Sequence, residues 1–221
     1  PVTGNVQLEF AELYDKGTMA MTNKPTMGIN ASNEEEVLES GGEFLIKVTQ
    51  GGVALTTTCL VPIDVPTSIT GGTKPGMQGF NGTIDANGKL TWELATGVDF
   101  WVKTNPDKYA SMLSDFSWFN CDKFYADPRP KTGISVFVPT GYANASTTFL
   151  STNAKPNSLG GLGGKYPIGL ECKIIFVTED NGNFRYAVKP MTLVANQQVT
   201  FSISETTLAT PAQFKAALNA L

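Results

Sequence analysis

Apolar and polar residues alternate one by one through most of this chain, and the alternating runs are separated by turns rich in glycine and asparagine. A period of two sends successive side chains to opposite faces of an extended strand, so the pattern restricts the chain to a mostly β fold. In "NVQLEFAELY", Val6, Leu8 and Phe10 point one way and Gln7, Glu9 and Ala11 the other, which predicts a half-buried strand. "GEFLIKVT" and "VALTTTCLV" flank Gln50-Gly51-Gly52 and read as a hairpin, as do "FNGTI" and "KLTWEL" around Asp85-Ala86-Asn87-Gly88. A third hairpin joins "LECKIIFVT" to "FRYAVK" through Asn181-Gly182, the strongest short turn signal in the chain. Val199, Phe201 and Ile203 alternate with Thr200, Ser202 and Ser204 in a late strand.

One helix is expected, at about 210–220. Thr210-Pro211-Ala212-Gln213 carries a capping-box pattern with proline at the first helical position, and Phe214, Ala217, Leu218 and Leu221 follow at helical spacing. The prolines and glycines of "PIDVPTSITGGTKPGMQG" place a boundary near residue 67. The expected architecture is therefore two antiparallel β-sandwich-like modules: an N-terminal one over 1–67 and a C-terminal one over 68–221 that ends in the short helix. The first holds about four strands, thin for an independent sandwich, so it either lacks a preceding strand or packs against the second.

Charged residues supply only 16% of the chain, below the usual ~25%, and polarity comes instead from Thr, Asn, Ser, Gln and 22 glycines. That balance is common in secreted and envelope proteins. The net charge of −4 has no Lys/Arg stripe behind it, which argues against nucleic acid as a partner. No apolar run approaches the ~20 residues of a membrane-spanning helix. The opening "PVTGNVQLEF" reads as a mature or trimmed start whose export signal has been removed. Cys59, Cys121 and Cys172 show no metal-site spacing and are expected to be buried small hydrophobes, with a Cys121–Cys172 bridge as the alternative in an exported protein.

The chain contains no histidine. That removes Ser-His-Asp and Cys-His nucleophile pairs, the HExxH zinc motif and imidazole-ligated haem or copper. Neither a metal site nor a cofactor is expected, and no residue is assigned a catalytic role. "SLGGLGGKYPIG" (158–169) is not a phosphate loop, because Leu159 stands where its first glycine is required and Tyr166 where Ser or Thr is required. It remains a long glycine-rich loop of the kind that carries function. Asn30, Asn81 and Asn144 begin Asn-x-Ser/Thr triplets, which matter only where the source glycosylates them.

The densest stretch is "DFSWFNCDKFYADPRP", residues 115–130. Its carboxylates, Asp115, Asp122 and Asp127, are the only kind of general acid or base left, and paired carboxylates beside aromatic rings are what glycoside hydrolysis requires. Flat rings also stack on sugars, which makes Trp101, Trp118, Tyr125, Tyr142 and Tyr166 candidate carbohydrate contacts, although most such rings belong in cores. The ligand-binding candidates are Trp118, Asp122, Tyr125, Tyr142 and Tyr166.

"PVTGNVQLEFAELYDKGTMAMTNKPTM", "LESGGEFLIKVTQGGVAL" and "FSWFNCDKFYADP" together resemble uncharacterised secreted or lipoprotein-type envelope proteins of Bacteroidetes. These share a Val-Thr-Gly strand, a Ser-Gly-Gly-Glu-Phe hairpin and a Trp-x-Asn-Cys-Asp signature, here Trp118 to Asp122. The first module also looks distantly like the β module of ankyrins and netrin receptors. Some relatives of that module cleave themselves at a His-Phe-Ser site; with no histidine, that activity is not expected here. The resemblance implies an all-β protein exported to the cell surface, the outer membrane or beyond, and no particular chemistry. The leading expectation is a non-catalytic adhesion, binding or structural module whose partner is a glycan or another envelope protein. A carbohydrate-binding protein using Trp118, Tyr125 and Tyr142 is the first alternative. The second is a hydrolase pairing Asp122 with Asp127 or Glu171. The oligomeric state is left open.

Overall fold

A computed structural model describes residues 2–96, 101–102, 107–153, 155 and 157–221, the side chains of 101 and 102 excepted. About 49% of the chain is strand and 11% helix, so the fold is mostly β. The chain divides into two compact units, each assembled from three separate stretches. The first takes Pro1–Tyr14, Ser40–Thr83 and Trp92–Lys123; the second takes Asp15–Glu39, Ile84–Thr91 and Phe124–Leu221. Residue 67, where the sequence suggested a boundary, lies inside the first unit at the start of the one-turn 3-10 helix Thr67–Thr70.

In the first unit, the strand Gln7–Leu13 runs antiparallel to Glu35–Gln50 with Leu8 opposite Val48 and Phe10 opposite Ile46. Trp118–Phe124 pairs with Gln78–Ile84. A separate three-stranded sheet contains Val61–Pro66, Lys108–Leu113 and Trp101–Val102. The two sheets meet through one apolar cluster: Phe44, Ile46 and Phe119 from one side, Val65, Tyr109 and Leu113 from the other. Full burial of such side chains is worth roughly 1.5–3 kcal/mol each. Phe44 and Phe119 stack with ring centroids 6.1 Å apart.

Two strand expectations change in this unit. Val6, Leu8 and Phe10 do alternate, but Leu8 is 64% exposed and Phe10 51%. Their strand ends its sheet, and the buried cluster stops at Ile46 one strand further in. The Gly51-Gly52 turn closes only a two-residue return, Val53–Ala54. The chain then leaves that ladder, and Val61–Pro66 joins the other sheet.

The second unit is organised by the hairpin predicted at Asn181-Gly182. Ten residues of Glu171–Asp180 pair antiparallel with Asn183–Thr192. Asn181 and Gly182 have φ of 52° and 77°, the positive values that a two-residue type I′ turn demands. Ile174 and Phe176 enter a cluster with Leu150, Val199 and Phe201, while Ile175 and Val177, on the opposite face, are also buried. The pairing of Ile134–Phe137 with Gln197–Thr200 departs from the antiparallel rule and runs parallel.

The terminal helix Pro211–Asn219 forms as expected, with Thr210 and Gln213 capping reciprocally and Phe214 stacked on Phe184 at 4.8 Å. A second helix, Lys16–Met21, was not expected. Six residues with an internal glycine give little helical periodicity, and only the Asp15 cap, accepting from the Thr18 N–H at 2.8 Å, marks it in the sequence. Its glycine has a packing reason. A Cβ at Gly17 would sit 2.6 Å from the main-chain oxygen of Lys215, so the two helices approach as closely as they do only because position 17 has no side chain. Gly→Ala inside a helix ordinarily stabilises by 0.5–1 kcal/mol. Gly17→Ala should instead destabilise by about 1–3 kcal/mol through overpacking, measured by urea unfolding.

Candidate functional site

The aromatic stretch that opens at Asp115 is mainly a packing element. Asp122 is fully buried in the first unit, where its Oδ1 accepts from the Gly41 main-chain N–H at 3.0 Å and its Oδ2 from the Asn120 side-chain amide at 2.6 Å. A carboxylate held by two donors inside a sheet ties strands together rather than presenting itself to a substrate. Phe119 and Cys121 point into the core, and Trp118 is half-buried opposite Gly82. Alternation explains this division: Phe119 and Cys121 share one face of the strand, and Trp118, Asn120 and Asp122 the other. The side chain of Trp101 lies outside the described residues.

Tyr125, Tyr142 and Tyr166 belong to the second unit. Tyr166 is fully buried in its core, donates to the Gly161 carbonyl at 2.6 Å, and is unavailable to a ligand. It also accounts for part of the glycine-rich loop: a Cβ at Gly160 would collide with the Tyr166 hydroxyl. Tyr142 is partly buried, edge-on to Phe176 with centroids 6.2 Å apart. The ring of Tyr125 carries the Lys155 ammonium 5.0 Å from its centroid, and Lys155 is in turn paired with Glu39 at 2.6 Å. A sugar would have to displace that cation to stack on this ring. The five candidates are thus divided between two units, and the two buried ones are structural.

Asp127 is tied up as well. Arg129 clamps it through Nη2 at 2.7 Å and Nε at 2.9 Å, its own main-chain N–H adds a third donor, and the Tyr125 hydroxyl donates at 3.0 Å. The Arg129 side chain holds this carboxyl well below the usual carboxylate range. A group so strongly ionised is a poor general acid. Glu171, the other acid considered for a pair, stands exposed at the start of its strand.

A concave surface with polar chemistry lies elsewhere in the second unit. Two adjoining hollows of about 540 and 360 Å³ share Asn23, Lys89, Ser146 and Thr147 and so form one groove. Asp85 and Glu179 line the larger hollow, but both already serve turns: Asp85 Oδ1 accepts from the Asn87 and Lys89 main chain, and Glu179 Oε1 from Gly182. Lys89 is neutralised by an ion pair with Glu35. Most of the groove's polar side chains are thus uncharged amides and hydroxyls, beside the carboxylates of Asp85 and Glu179. None of the five residues singled out from the sequence lines it. Its parts come from positions 23, 89 and 146–147, too far apart for any motif to have joined them.

No family model, no curated protein and no solved structure matches the chain. Among the described residues, no helix is long and apolar enough to cross a membrane, which leaves β-barrel crossing unaddressed.

The cysteines divide unequally. Cys121 and Cys172 are free thiols buried in separate units, as expected of small hydrophobes, whereas Cys59 is exposed, in the irregular stretch before Val61–Pro66. Burial pushes the Cys172 thiol up to about 11 and raises Cys121 further. A thiol reagent such as DTNB should therefore modify one cysteine rapidly in the native protein and the other two only with denaturant; two fast thiols would contradict the packing described. The Asp127 clamp gives a pH signature. Its folded pKa lies below its unfolded value, so its stabilisation is complete above about pH 4 and fades as acidification proceeds toward the lower folded value. Asp127→Asn should flatten that part of the stability profile, measured as Tm against pH.

Proposed function

We propose that this chain is a non-catalytic binding module of an exported or envelope protein, and that it takes a neutral polar ligand, a glycan, in the groove of the second unit. The observation that carries this reading is the lining of that groove: Asn23, Asn144, Ser146 and Thr147 beside a lysine whose charge Glu35 has cancelled. Sugar hydroxyls both donate and accept, and neutral amides and hydroxyls meet them without demanding a charged partner. The sparse charge and the Thr, Asn and Ser content of the chain support the exported setting, as does the resemblance of its Trp118–Asp122 block to envelope proteins.

A hydrolase reading has one observation in its favour, since Asp85 and Glu179 line the same hollow. Their engagement in turns weighs against it. A glycan array followed by calorimetry on the best hits separates the possibilities. Binding should be saturable, and Thr147→Trp, which fills the groove, should weaken it at least ~10-fold, about 1.4 kcal/mol. Retained affinity in that variant removes the groove from the reading, and no binding across a broad array removes the glycan. Release of reducing ends that stops with Asp85→Asn or Glu179→Gln would favour the hydrolase.

A further inference from the structure

The first unit has an open sheet edge. Gln7–Leu13 is the last strand of its sheet, and no strand among the described residues pairs along its outer side. The residues just before it do not fold back over that edge. They run on beside the neighbouring strand, where the Gln50 side-chain amide donates to the carbonyls of Thr3 at 2.8 Å and Asn5 at 3.3 Å. Open edges are ordinarily short, or guarded by lysine, proline or a bulge. This one is seven residues long, contains neither lysine nor proline, and pairs with Glu35–Gln50 without a bulge.

The side chains on this edge divide by face. Leu8 and Phe10 stand opposite Val48 and Ile46, on the side of the Phe44–Phe119 cluster, and Val6 precedes them in the same alternation. All three are exposed, so they carry the apolar surface of that cluster out to the rim of the sheet. Gln7 and Glu9 leave on the other face, where Glu9 pairs with Lys47 at 3.6 Å.

A second copy of the same strand fits this edge. A two-fold axis normal to the sheet pairs the two strands antiparallel and keeps like faces together, so one residue of each copy meets its own equivalent on the axis. With Glu9 on the axis two carboxylates meet, and with Phe10 on it Leu8 faces the Glu12 carboxylate. With Gln7 on it, Phe10 faces Gly4 and loses an apolar partner. Leu8 on the axis satisfies every position: Leu8 meets Leu8, Val6 meets Phe10, and Gln7 sets an amide donor against Glu9.

We propose that the chain associates as a two-fold dimer through Gln7–Leu13, strand added to strand, with Leu8 on the axis. The contact joins two sheets into one, pairs the open main-chain groups and covers apolar side chains of both copies. It draws on the first unit alone, so it stands or falls separately from the glycan reading of the second.

Sedimentation equilibrium over a concentration series reads the association, with a dissociation constant on the order of 1–100 µM expected for so small a contact. Leu8→Lys sets like charges face to face and should weaken it at least ~10-fold. Gln7→Lys and Gln7→Glu remove no apolar surface; the first should tighten and the second weaken the dimer by roughly threefold or more, because each contact occurs twice. Val53→Lys, at an exposed apolar residue away from this edge, should change nothing. Oxidation in a Cys59→Ser background reads the register: Leu8→Cys should form an intermolecular disulfide, since facing residues stand within bridging distance, and Phe10→Cys should not. A chain that stays monomeric at about 300 µM overturns the proposal. So does association indifferent to Leu8→Lys, or equal cross-linking at the two positions.

Discussion

The ladder between Glu171–Asp180 and Asn183–Thr192 is the member on which the second unit depends. It carries apolar side chains on both faces. Ile174 and Phe176 enter the main cluster, Ile175 and Val177 are buried behind them, and Phe184 and Tyr186 receive Phe214 of the terminal helix. Because side chains alternate strictly, a one-residue slip would exchange every one of these contacts. The two-residue turn at Asn181-Gly182 fixes the register that both packings require. Two features lie on this ladder or beside it: one end of the polar groove and the seat of the helix.

What the sequence disclosed was local chemistry. Asn181-Gly182 and the Thr210–Gln213 box each specify a backbone geometry from within a few residues, and both hold. What it concealed depended on distant neighbours. The Val6, Leu8, Phe10 alternation correctly signals a strand, but period two cannot say whether another layer lies over that strand, and here the layer ends at Ile46. The helix at Lys16–Met21 is too short for its own propensity to speak, and its glycine looks unfavourable until Lys215 is seen against it. The groove was invisible for the same reason, since Asn23, Lys89 and Thr147 converge only through the fold.

The block that drew most attention, Trp118 to Asp122, shows how a chemically suggestive sequence can serve a structural end. A buried acid between a main-chain N–H and an amide binds two strands more firmly than an apolar residue could at that spot, because it satisfies donors that would otherwise be stranded. The same logic runs through the remaining acids described above. Asp127 has its arginine, Asp85 and Glu179 have their turns, and Glu35 has Lys89. Carboxylates in this protein mostly hold the chain in shape.

The interleaving of the two units bears on how the chain can emerge from a ribosome. The first unit takes residues up to Lys123, so its opening strand must wait for more than a hundred residues of synthesis before its unit is complete. The second begins at Asp15 and closes only when the terminal helix arrives. Contacts of such long sequence separation form slowly, and an early folding intermediate would leave unfinished ladders open to other chains. Production of this protein should accordingly favour the intact polypeptide over any fragment cut at a single point, since no one cut separates the two units from each other.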